Sequence, residues 1–117
     1  MHKSFSHIGE FLKECHFKGS DNFYHKATDS YVILVQLSGC PDGAGFTVSY
    51  GLHPILPNIK RIHHRDYLLT NCLCKGQVLN SRNKPVWNYH MNNDDLAILT
   101  KRLLRGIAAL EMKLSHS

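Results

Sequence analysis

From Phe46 the chain alternates. Phe46, Val48 and Tyr50 are apolar or aromatic, and Thr47, Ser49 and Gly51 stand between them. Period two is that of a strand with one buried face. Just upstream, Tyr31-Val32-Ile33-Leu34-Val35 is an unbroken apolar run, mostly β-branched or aromatic. It predicts a strand covered on both faces, or nearly so. Gly39-Cys40-Pro41-Asp42-Gly43 joins the two: proline fixes φ, aspartate caps its own backbone, and glycine tolerates positive φ. A β-hairpin at the centre of a small antiparallel sheet is expected. A slip of one residue would turn Phe46, Val48 and Tyr50 to water, so its register should be well specified.

The flanks change period. Phe5, Ile8, Leu12 and Cys15 recur at three- and four-residue spacing, which predicts an amphipathic helix over 4–16. Ser4 or Ser6 suits its start and Gly19 its end. Phe17 is expected to anchor in the core just beyond. Asn22 to Lys26 reads as a short first strand, turned back by Ala27 to Ser30. At the other end, Asn92-Asn93-Asp94-Asp95 supplies capping side chains and first-turn acids. Leu96, Leu99, Leu103, Ile107, Leu110 and Leu114 follow as one stripe. A helix over 94–114 would be roughly 30 Å long and would lie across the sheet. Gly106 inside it costs about 1 kcal/mol relative to alanine and suits a bend or the close approach of a neighbour.

The middle is less regular. His53 to Asn58 holds two prolines and is expected to be a loop or an edge. Ile59 to Tyr67 has no clean period. Leu68 to Leu79 reads as another strand, with Thr70, Cys72 and Cys74 on one face. Asn80 to Pro85 is a turn, and Val86 to Tyr89 suits a last short strand. These elements predict an α+β fold: a four- to five-stranded, mainly antiparallel sheet with an N-terminal helix and a long C-terminal helix packed on it. One domain over 1–117 is expected.

Composition narrows the class. The chain is 43% hydrophobic and 20% charged, as in a globular protein rather than a disordered one. No apolar run approaches the roughly 18 residues of a spanning helix, so no membrane is expected as a partner. The first residues lack an apolar signal core, and the four cysteines form no dense framework; reduced thiols and a cytoplasmic location are expected. The net charge of +5 is uneven: residues 1–59 carry −1 and residues 60–117 carry +6. The basic half suits an acidic protein or a nucleic acid, or simply a soluble surface.

Candidate chemistry is sparse. Cys72 and Cys74 with His53, His63 and His64 include zinc-ligand types, but Cys-x-Cys within a strand lacks the tight turn of structural zinc sites. Small core residues are the plainer account, and neither metal nor cofactor is expected. His63-His64-Arg65-Asp66, with Lys60 and Arg61, is the densest polar cluster. Histidine beside an acid suits general acid–base work, yet nothing completes a catalytic set, and an enzyme is not expected. Lys60, Arg61 and Arg65, with Lys101, Arg102 and Arg105, suit phosphate attraction. An exposed aromatic ladder, which would strengthen a nucleic-acid function, is not visible in the sequence. Gly39 to Gly45 lacks the following helix and the Lys-Ser/Thr pair of a phosphate loop.

Three stretches bear a likeness to a known family: His16-Phe17-Lys18-Gly19 with Phe23-Tyr24, then Val35-Gln36-Leu37-Ser38, then Phe46 to Gly51. They resemble a family of small bacterial proteins catalogued as a domain of unknown function. The family tends to show a helix, a GFK-x-G-x-FY step, and then V-x-x-Q-x-S and FT-x-x-x-G strands. His16 departs from the small residue usual before the phenylalanine, and 53–82 matches poorly. Some proteins of this kind look like immunity partners of bacterial toxins. The resemblance therefore implies an inhibitor that blocks a cognate toxin domain through a charged surface, acting as a monomer or weak dimer. The contact residues expected on this basis are His53, Lys60, Arg61, His63, His64, Arg65 and Arg82. A small basic nucleic-acid-binding module is the alternative.

Overall fold

A computed structural model describes residues 3–116. It has an N-terminal helix α1 (Lys3–Glu14), a sheet of β1 (Lys18–Ser20), β2 (Phe23–Ala27), β3 (Val32–Gly39), β4 (Phe46–His53) and β5 (Cys74–Gln77), and a C-terminal helix α2 (Asn93–Ser115). The strands lie in sequence order, each antiparallel to the next. This is the expected α+β architecture, with the sheet in its five-stranded form.

The central hairpin pairs over its full length, from Val32 opposite His53 to Gly39 opposite Phe46. Val32, Ile33, Leu34 and Val35 are all buried, because both faces of β3 are covered. Ile33, Val35 and Leu37 point to one side and join Phe46, Val48, Tyr50 and Leu52 of β4. The apolar stripes of α1 (Ile8, Leu12) and α2 (Leu99, Leu103, Ile107) close this main core. Val32 and Leu34 point to the other side, into a second cluster with Tyr67. Burying side chains of this size contributes about 1.5–3 kcal/mol each.

The helix ends follow their caps. At the start of α2, Asn92 Oδ1 accepts from Asp95 N at 2.8 Å, and Asp95 Oδ2 accepts from Asn92 N at 3.4 Å, a reciprocal capping box. The end of α1 differs from expectation. The helix stops at Glu14, not near Gly19, in a Schellman motif: Phe17 N donates to Leu12 O at 2.9 Å and His16 N donates to Lys13 O at 3.0 Å. The residue that takes the left-handed conformation is His16, at φ 71°. Phe17 is then buried against Leu12, as the motif favours.

Three segments depart from the sequence expectation. Lys18–Ser20 forms a strand because a two-residue Asp21-Asn22 turn folds it onto β2, placing Lys18 opposite His25. The expected strand over 68–79 shrinks to Cys74–Gln77, since Leu69–Asn71 closes into a 3-10 turn. Cys72 and Cys74 therefore do not share a face: Cys74 packs on the main core and Cys72 on the second cluster. Val86 to Tyr89 forms no strand. Trp87 makes one bridge to Phe46, and its Nε1 donates to Val78 O at 2.9 Å.

The irregular stretch 54–72 covers the second sheet face. Leu56, Ile59, Ile62, Leu69 and Cys72 pack there around Val32, Leu34 and Tyr67. Tyr67 is its anchor. It is 2% exposed, its hydroxyl accepts from Leu56 N at 3.0 Å, and its ring lies 4.6 Å from that of His53.

Candidate functional site

This covering segment carries the dense polar cluster to the edge of the second face. Lys60, Arg61, His63, His64 and Arg65 are all exposed. Lys60, Arg61 and Ile62 form one wall of a cleft of about 600 Å³. The other walls are His16 and Lys18, from the α1–β1 junction, and His25, Lys26 and Ala27 of β2. Three stretches far apart in the chain thus bring four cations and two imidazoles around one opening, and among the described residues no carboxylate lines it.

Local structure sets each of these side chains. The left-handed backbone of His16 ends α1 and turns the chain into β1. The β1–β2 register puts Lys18 beside His25. Burial, and then the Lys18 charge, hold the His25 pKa below its ordinary value, so its imidazole is largely neutral near neutral pH. Lys26 is half-buried, with its ammonium 5.8 Å over the Phe17 ring, a cation–π placement.

Not every expected contact residue belongs here. His53 is a correction: it is 2% exposed at the end of β4, beneath Tyr67, and presents no surface to a partner. Its Nδ1 donates to Pro54 O at 2.7 Å, which leaves Nε2 buried without a hydrogen-bond partner among the described residues. Arg82 is exposed but stands elsewhere, in the turn organised by Asn80, beside Trp87 and the first turns of α2. On α2, Lys101, Arg102 and Arg105 are exposed as expected, but Arg102 is engaged: its Nη1 donates to the carbonyls of Leu79 and Asn80 at 2.8 and 2.6 Å.

No family model, curated protein or solved structure matches the chain. Its chemistry rests on its own residues. Among the described residues, no three or more His, Cys, Asp or Glu side chains gather as a metal ion would require. The four cysteines are free thiols. Burial, followed by the neighbouring Cys74, pushes the Cys72 thiol up to about 11, so it is not a nucleophile near neutral pH. No helix of the described residues is long and apolar enough to cross a membrane. The arrangement is suited to holding anions: the lysines offer point charges and Arg61 offers a planar fork.

Sequence reasoning found Lys60 and Arg61 but missed His16, Lys18, His25 and Lys26. Their one sequence signal was the Ser20-Asp21-Asn22-Phe23 turn, which predicts the β1–β2 pairing if Lys18 to Ser20 is admitted as a strand.

Proposed function

We propose that this protein is an inhibitor that captures a cognate bacterial toxin domain, docking an acidic face of that domain on the basic cleft and the adjoining Lys60–Arg65 loop. The observation that carries this is the convergence of Lys18, Lys26, Lys60 and Arg61 around one opening that, among the described residues, no carboxylate lines. Unneutralised charge at an exposed cleft steers an oppositely charged partner and selects it. The patchy resemblance of most of the chain to a bacterial family with immunity-like members supports the same assignment. So does the seating of the loop's segment on the sheet, where Tyr67 packs with Val32 and Leu34.

The test is a titration with whatever toxin-like C-terminal domain is encoded just upstream, at two salt concentrations. Binding should weaken as salt rises. Arg61→Glu/Arg65→Glu, which reverses two exposed charges, should weaken it about tenfold or more while leaving the fold intact. Unchanged affinity in that variant would place the interface elsewhere.

A further inference from the structure

The basic cleft runs into a row of rings. His25, which lines the cleft, has its ring 5.9 Å from that of Phe23. Phe23 is 6.0 Å from His64, and His64 is 4.2 Å from His63. Phe23 and His25 are half-buried, two residues apart on β2; His63 and His64 are exposed. The row therefore leads from inside the cleft to solvent. The ladder that the sequence does not show is assembled by folding, from β2 and a loop some forty residues later.

Cleft and row together narrow the ligand. The cleft volume of about 600 Å³ lies within the range of about 300–1,000 Å³ typical of small-molecule sites. Its charges suit a polyvalent anion, and the pairing of lysines with an arginine suits phosphate oxygens. An acidic peptide would satisfy the cations but make no use of the rings. A nucleobase has a flat π-face that stacks on histidine and phenylalanine without regard to sequence. His25, largely neutral near neutral pH, adds a ring and a hydrogen-bonding nitrogen rather than another fixed charge.

We propose that the cleft is a nucleotide-binding site, taking phosphate among Lys18, Lys60 and Arg61 and a base on the exposed rings of His64 and His63. A free nucleotide and one unit of a single-stranded nucleic acid present this same chemistry. The site goes beyond the toxin-inhibitor function: it shares Lys18, Lys60 and Arg61 with the docking face proposed above, and what it adds is the row of rings from His25 through Phe23 to His64 and His63. Arg65 lies outside both the cleft lining and the ring row, so Arg65→Glu should weaken toxin docking and spare nucleotide binding, whereas His64→Ala should weaken nucleotide binding.

The experiment is a set of titrations of the full chain at low salt. The probes are AMP, ATP, a labelled single-stranded oligothymidylate and polyglutamate. Saturable binding of a nucleotide or of the oligonucleotide is expected. Either His64→Ala or Lys60→Ala/Arg61→Ala should weaken it about tenfold, with circular dichroism confirming the fold. Binding of AMP or ATP as tight as that of the strand identifies free nucleotide as the source. Binding of the strand alone identifies a nucleic-acid unit, and both outcomes support the site. Polyglutamate binding as tight as oligonucleotide binding, with His64→Ala changing neither, would reduce the cleft to a general polyanion surface and overturn the proposal. So would the absence of both nucleotide and strand binding.

Discussion

Tyr50, on β4, lies with its hydroxyl end against Gly106 in the middle of α2. A Cβ placed on Gly106 would stand 2.5 Å from Tyr50 Cζ and closer still to its hydroxyl oxygen. On the other side of the same ring, a Cβ on Gly76 of β5 would come within 2.7 Å of that oxygen. Two glycines from different elements thus let one aromatic side chain fill the seam between helix and sheet. The helix-weakening residue in α2 is there for a neighbour's close approach, one of the two roles that its position suggests.

That geometry sets two effects against each other in Gly106→Ala. Alanine would gain about 1 kcal/mol of helix propensity. The added methyl would overpack a closed seam, which typically costs about 1–3 kcal/mol. The steric effect should win, because Gly76 leaves the Tyr50 ring little room to retreat. Urea unfolding should show a lower midpoint with an unchanged slope. Tyr50→Phe in the same background, lacking the nearest atom, should recover part of the loss. A stabilised Gly106→Ala protein would show that the seam is looser than described.

His16 poses the opposite trade. It holds the left-handed position of the α1 Schellman motif, where glycine is usual and an L-residue is strained by about 1–2 kcal/mol. His16→Gly should therefore raise stability by about 0.5–1 kcal/mol, part of the relief being offset by glycine's greater freedom when unfolded. Yet His16 also lines the basic cleft. The same variant should bind anions less well, because it removes one of the side chains that line the cleft. Chemical denaturation and anion titration on one protein sample check both halves. A variant that is less stable would mean that the histidine side chain contributes more than its backbone costs.

The parts of the fold that were legible in the sequence are those with a period. The β3–β4 hairpin and both helices declare themselves because each presents one regular face to a single core. The segment 54–72 was opaque because Leu56, Ile59, Ile62 and Tyr67 reach the second sheet face from an irregular backbone that leaves no repeat. Its unbroken partner, the Val32–Val35 run, was the one sign that something must cover that face. Lys18–Ser20 carries no apolar residue and is a strand only because β2 lies beside it. The cleft failed to show for a related reason. Its cations come from both the acidic and the basic half of the chain, so charge counted along the sequence pointed to one wall alone.

The hydroxyl of Tyr31 donates to the Glu111 carboxylate, linking the residue just before β3 to the end of α2 across 80 residues of sequence. That bond, aided by burial and then by the Glu111 and Cys74 charges, raises the Tyr31 pKa to about 12. An unfolded tyrosine ionises near pH 10. Between pH 10 and 12 the folded chain therefore keeps a proton that the unfolded chain has released, so stability must fall as pH rises through this window. Below pH 10 the contribution is fully present. Burial raises the Tyr24 and Tyr50 pKa values as well, so the wild type alone cannot assign the slope. Tyr31→Phe isolates it: its urea midpoint should decline less steeply with pH than that of the wild type, and its near-ultraviolet absorbance should show one phenol fewer ionising. Parallel declines in the two proteins would mean that α2 is not held to β3 by this bond in solution.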